Sequence, residues 1–157
     1  MPKITPFLWF DENAEEAAKF YVSIFKNSKM GAIARYPEGA PGKAGSVMTV
    51  VFSLDGQEFM ALNGGPHFKF NEAVSFVVNC RDQAEIDEMW SKLTAGGSEV
   101  QCGWLKDKFG LSWQIVPHNM GELMSGTDAE GAKRAMQAMM QMKKLDIAAL
   151  KRAGGLE

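Results

Sequence analysis

Long apolar runs are missing from this 157-residue sequence. None approaches the ~20 residues that a membrane-spanning helix needs, so no membrane partner is expected. An excess of one charge is missing too. The 17 Lys and Arg stand against 19 Asp and Glu for a formal charge of −2, which argues against a nucleic-acid partner. Cysteine is scarce, and Cys80 and Cys102 are too far apart for a CxxC motif. Neither a zinc site nor a disulfide is signalled. Both read as reduced, core-type thiols of a cytoplasmic protein, and the opening Met-Pro-Lys-Ile-Thr-Pro has no signal-peptide apolar core. Histidine occurs only as His67 and His118. No Asp, Ser or Cys is identifiable as an activating partner for either, so no catalytic triad is proposed. Gly64-Gly65-Pro66 and the Gly39/Gly42 loop are neither a GxGxxG nor the start of a helix, which excludes a phosphate cradle there.

What is present is ordinary globular material, 46% hydrophobic and 23% charged, arranged as a repeat. Lys3 to Phe10 reads as a strand. Asn13 and Glu16 then form a capping box, and Ala17, Phe20, Tyr21 and Ile24 make one apolar helical stripe. The pattern returns 69 residues later. Ala73 to Val78 is strand-like, Asp82 and Glu85 form the box, and Ile86, Met89, Trp90 and Leu93 make the stripe up to Gly96-Gly97. The first helix is followed by strand-like runs at Met30–Tyr36, Ser46–Leu54 and Glu58–Asn63, with Asp55-Gly56 as a hairpin turn. The second is followed by Glu99–Leu105 and Ser112–Val116, Gly110 standing where Gly56 stands. Aligned on those glycines, Phe59 matches Trp113 and Met60 matches Gln114. Residues 119–153 lose the strand alternation and hold six of the 11 Met. They read as helices capped by Asp128 and Asp146, with Ala132, Met136, Met139 and Leu150 on apolar faces. Such a Met-rich arm suits covering the domain or a partner subunit, with a ligand-gripping lid as the alternative. The expected fold is therefore α+β. It has two βαβββ modules, residues 1–64 and 65–118, forming a curved mixed sheet around a cleft, and a helical C-terminal extension over 119–157.

Three stretches carry a resemblance: ITPFLWFDENAEEAAKFY, ALNGGPHFKFNEAVSF and CGWLKDKFGLSWQIVP, the last with Asp107, Gly110, Trp113 and Gln114 in a DxxGxxW(Q/E) ending. With the paired modules, the chain resembles the PhnB-like branch of the vicinal oxygen chelate, or glyoxalase/bleomycin-resistance, superfamily. Members of that branch often bear the description 3-demethylubiquinone-9 3-methyltransferase. The resemblance spans nearly the whole chain, tail included. It implies a curved mixed sheet per module, a small-molecule site in the cleft between modules, and commonly a homodimer. It does not imply a reaction, because function belongs to the site.

In metal-dependent members, four side chains from the first and last strands of the modules hold a divalent ion. The matching positions here are Gln114, Met60, Thr5 to Phe7 and Val74 to Phe76, which offer no His or carboxylate. No metal site and no cofactor are expected. Alternation along the last strand turns Trp113 and Ile115 under the helix and leaves Ser112, Gln114 and Val116 toward the cleft, as it leaves Glu58, Met60 and Leu62 in the first module. The ligand-binding candidates are Gln114, His67, Met60, Trp9, Trp104 and Ser112. Gln114 is read either as a ligand contact or as a satisfied polar residue, His67 as a base or donor or as a loop histidine, and the two Trp as stacking surfaces or packing. His118 reads as surface. The expected function is metal-free binding of a small molecule with no reaction assigned. The alternatives are a metal-dependent lyase, isomerase or dioxygenase, or a drug-sequestering binder. Methyl transfer is unsupported, because the first strand runs into Asp11-Glu12-Asn13 without the Gly-rich turn that S-adenosylmethionine sites use.

Overall fold

Proline decides where the first strand begins. Pro2 and Pro6 have no N–H to give a ladder, and in the computed structural model, which describes residues 2–156, strand β1 covers Phe7–Phe10 instead of starting at Lys3. Pro6 takes part only as an acceptor, from the Met60 N–H at 3.0 Å. Helix α1 (Ala14–Ile24) follows, then β2 (Lys29–Arg35), β3 (Val47–Leu54) and β4 (Gln57–Asn63). The strands form a four-stranded sheet in the order β1-β4-β3-β2, with β1 parallel to β4 and the other pairs antiparallel. Asp55 and Gly56, at φ 48° and 82°, form the expected two-residue hairpin between β3 and β4.

The second copy has the same order. It runs β5 (Ser75–Cys80), α2 (Gln83–Thr94), β6 (Ser98–Glu99), β7 (Trp104–Lys106) and β8 (Ser112–Pro117), in a sheet ordered β5-β8-β7-β6. The single strand expected over Glu99–Leu105 is two short ones, interrupted by a turn in which Cys102 and Gly103 both have positive φ. Three helices complete the chain, α3 (Met120–Ser125), α4 (Ala129–Met140) and α5 (Ile147–Gly154). The chain divides into two compact units, one ending at Phe70 and one beginning at Asn71 with the tail included.

In each unit the helix covers one sheet face. Ala17, Tyr21 and Ile24 of α1 are buried with Leu8, Phe10, Val50, Phe52, Phe59 and Ala61, and Phe52 stacks on Phe59 at 5.4 Å. Ile86, Met89, Trp90 and Leu93 of α2 are buried with Leu105, Trp113 and Ile115. At roughly 25 cal/mol per Å² of apolar area removed from water, these two stripes dominate what holds each unit together.

The repeat is not gapless. β1 and α1 are separated by Asp11, Glu12 and Asn13, whereas β5 and α2 are separated only by Arg81 and Asp82. Strand side chains alternate, so the extra residue inverts the phase. Leu8 and Phe10 face α1, while the residues 69 positions after them, Val77 and Asn79, are exposed. The two caps differ as well. Asp82 accepts from the Glu85 N–H at 2.9 Å, but Glu85 reaches the Arg81 N–H, one residue outside the expected box. Asn13 makes no side-chain cap. Asn63, at the end of β4, takes its place and accepts from the Ala14 N–H at 2.8 Å. In the tail, Asp128 and Asp146 cap as expected, but α4 buries Gly131 and Ala135 and leaves Met136 exposed.

Candidate functional site

The face of each sheet away from its helix carries the candidate residues. In the second unit, β5 and β8 pair in parallel with Val77 opposite Gln114 and Ser75 opposite Ser112. β7 brings Trp104 opposite Gln114 and Lys106 opposite Ser112. Register partners share a face, so Trp104, Gln114 and Val77 form one row, and Lys106, Ser112 and Ser75 the next. Gln114 Nε2 donates to Ser75 Oγ at 2.9 Å across the two rows. The Ser75 hydroxyl hydrogen and Gln114 Oε1 find no partner among the described residues. Ser112 is fully buried, and its Oγ is without a hydrogen-bond partner among the described residues. A buried hydroxyl left so costs about 1–3 kcal/mol. Lys106 pairs with Glu72 at 3.1 Å, and that hydrogen bond holds the Glu72 carboxyl below its ordinary range.

In the first unit, Phe7 pairs with Met60 and Trp9 with Leu62, and β3 places Val51 opposite Met60. The middle of this face is apolar, with Phe7 52% exposed, while Thr49, opposite Leu62, and the Ser53–Glu58 pair put polar groups at its ends. The Trp9 indole N–H is spent on the Gly65 carbonyl at 2.9 Å. Its ring lies so close over Gly64 that any Cβ there would overlap it. Phe68 packs edge-on against it at 4.8 Å and His67 at 6.4 Å. Trp9 thus clasps the loop that carries His67, while the His67 ring is exposed and makes no hydrogen bond among the described residues. His118 is exposed, its Nδ1 3.3 Å from the Cys80 carbonyl.

The six candidates therefore fall into two groups. Gln114, Ser112 and Trp104 share one sheet face of the second unit, and Met60 and Trp9 share one of the first with His67 beside them. Ser75, one of the three corner positions Val74 to Phe76, was not among the ligand-binding candidates, and the β5–β8 register is what singles it out of the three. A surface hollow of about 440 Å³ at the Lys29, Ser53 and Glu58 end of the first unit contains none of the six.

Neither unit offers donors that fit a divalent ion: the first has a soft thioether at Met60, and the second only two neutral oxygens, at Gln114 and Ser75, with no carboxylate or imidazole beside them among the described residues. Among the described residues no three His, Cys, Asp or Glu side chains gather to hold one. The DxxGxxW motif is structural. Asp107 is buried, and its Oδ1 accepts from the N–H groups of Phe109 and Leu111 at 2.8 and 3.1 Å, its Oδ2 from Trp113 Nε1 at 2.9 Å. Gly110 turns that loop at φ 88°.

The family model described as 3-demethylubiquinone-9 3-methyltransferase matches residues 2–116. The tail lies outside the match, although the resemblance was expected to include it. A PhnB protein of Bacillus cereus, itself described as a 3-demethylubiquinone-9 3-methyltransferase, is 41% identical, with a TM-score of 0.67 over 73% of this chain and 99% of its own. A Pseudomonas aeruginosa protein (21% identity, TM-score 0.61, 74% and 98% covered) shares the fold. So does the genomically encoded fosfomycin resistance protein FosX of Listeria monocytogenes (15%, 0.53, 77% and 94%). No curated protein matches the chain.

Proposed function

The chain belongs to the 3-demethylubiquinone-9 3-methyltransferase family, the PhnB-like members of the vicinal oxygen chelate superfamily, and from that premise we propose that it binds a small organic molecule without a divalent metal. The observation that carries this reading is the Gln114–Ser75 pair. It holds an acceptor, Gln114 Oε1, and a donor, the Ser75 hydroxyl, that have no partner among the described residues, side by side on a sheet face walled by Val77 and Trp104. A few placed polar groups on an apolar wall are what a small-molecule site uses. A ligand with a donor and an acceptor on adjacent atoms, such as an amide or a hydroxy acid, and a flat apolar part to lie on Trp104 matches that surface. Met60 and Trp9 supply apolar area in the first unit, with His67 at its margin.

Methyl transfer is not the reading favoured. The β1–α1 connection is Asp11-Glu12-Asn13, without glycine, and the sheets are mixed rather than parallel. The metal-dependent alternative lacks donors at the corners. Our reading also includes a homodimer, supported by the exposed Met136 and Met140 of α4. It includes a cytoplasmic setting, which the two free cysteines suit; no helix among the described residues is long and apolar enough to cross a membrane.

The test is a thermal-shift screen of small polar aromatics against the wild-type protein. A compound that raises Tm should lose at least about tenfold in affinity in Gln114→Ala, the worth of one ligand hydrogen bond whose partner is left unpaired. Unchanged affinity in Gln114→Ala and in Trp104→Ala would remove this face from consideration.

A further inference from the structure

The family match ends at residue 116, so α3–α5 are an addition to the shared domain. Their attachment to the second unit centres on one turn. Trp104 N–H donates to the Gln101 carbonyl at 3.1 Å, and Cys102 and Gly103 between them have φ 63° and 85°, a type I′ turn. The left-handed region disfavours cysteine, which has a Cβ. Both outward N–H groups of the turn are taken by the tail, Cys102 by the Met142 carbonyl and Gly103 by the Lys143 carbonyl, each at 2.8 Å. Leu145 is buried against Gly103, where a Cβ would meet its side chain at 3.0 Å. Gln83, at the start of α2, binds the same stretch twice, donating to the Leu145 carbonyl at 2.9 Å and accepting from the Ile147 N–H at 2.8 Å. Lys144 pairs with Asp87 at 2.9 Å. Residues 142–147 are gripped almost one by one.

The residue after the gripped turn is Trp104, register partner of Gln114. We propose that this strap holds the Cys102–Gly103 turn in its disfavoured conformation and thereby sets Trp104 on the binding face, so that undocking the strap loosens that face. Gln83 is the positioning residue. The regulatory consequence rests on the binding reading above, whereas the coupling itself is tested without a ligand.

The experiment uses the full chain labelled with 5-fluorotryptophan, the Trp104 signal being assigned through Trp104→Phe, together with native-state amide exchange. In Gln83→Ala the Cys102 and Gly103 amides should exchange about tenfold faster, the loss expected for hydrogen bonds that open together. The Trp104 fluorine signal should shift or broaden while that of Trp9, in the other unit, stays. Faster exchange with an unmoved Trp104 signal would make the strap mere packing and overturn the proposal, as would unchanged exchange. If Gln83→Ala does not fold, the wild type decides. The Cys102, Gly103 and Ile147 amides should share one opening free energy, and separate openings overturn the coupling. A barren ligand screen would count against the binding reading and leave this result standing.

Discussion

At the scale of single residues, Asp107 shows how a motif can mislead. Its place in a family pattern near a last strand invites a chemical role, yet its carboxylate is buried and takes two backbone N–H groups and an indole N–H. Asp107→Ala should cost about 3 kcal/mol, since three donors, two of them buried, lose their acceptor. Asp107→Asn, which keeps an acceptor for the backbone pair, should cost less. Thermal melts read both, and an unchanged Tm in Asp107→Ala would show that these hydrogen bonds do not stabilise the loop. Cys80 makes a similar point. Burial, with Glu85 and Asp82 nearby, pushes its thiol up to about 12, so it is a core residue and no nucleophile.

Elements are held by partners both near and far. The stripes of α1 and α2 and the caps of α2, α4 and α5 were legible in the sequence, because they depend on residues three or four apart. The α1 cap was not, because Asn63 supplies it from 49 residues away. The contact between α2 and the tail has a pH dependence of definite sign. Hydrogen bonds from Lys144 and Gln83 hold the Asp87 carboxyl below its ordinary value. A carboxylate depressed in the folded state adds stability above its unfolded value, about 4, and loses it as pH falls through the folded one. Wild-type protein should therefore exceed Asp87→Asn in Tm at pH 6 and converge with it as the pH is lowered from about 4. High salt should shrink the gap, since the pair is exposed. A gap that persisted at pH 2.5 would show that packing, rather than charge, joins tail and helix.

For the whole molecule, the proposed homodimer is tested by sedimentation at micromolar concentration. A dimer is expected, with Met136→Glu and Met140→Glu together shifting it toward monomer, and a stable wild-type monomer would refute the proposal. The sequence by itself determined the first strand–helix–strand–strand–strand unit, its repetition in the second apart from the split of the Glu99–Leu105 run into two strands, the helical tail and the absence of metal-type donors from the strand positions, since each is written in local period or residue chemistry. Tertiary structure alone decided that one extra residue before α1 inverts the phase of β1. It also decided that Gln114 meets Ser75, that Trp9 is spent on its own loop, and that the tail holds the turn before Trp104. Those outcomes depend on register and on hydrogen bonds between residues 39 to 64 positions apart in the chain. Hydrophobic periodicity specifies which face of an element is buried, but not which distant backbone or side chain will meet it.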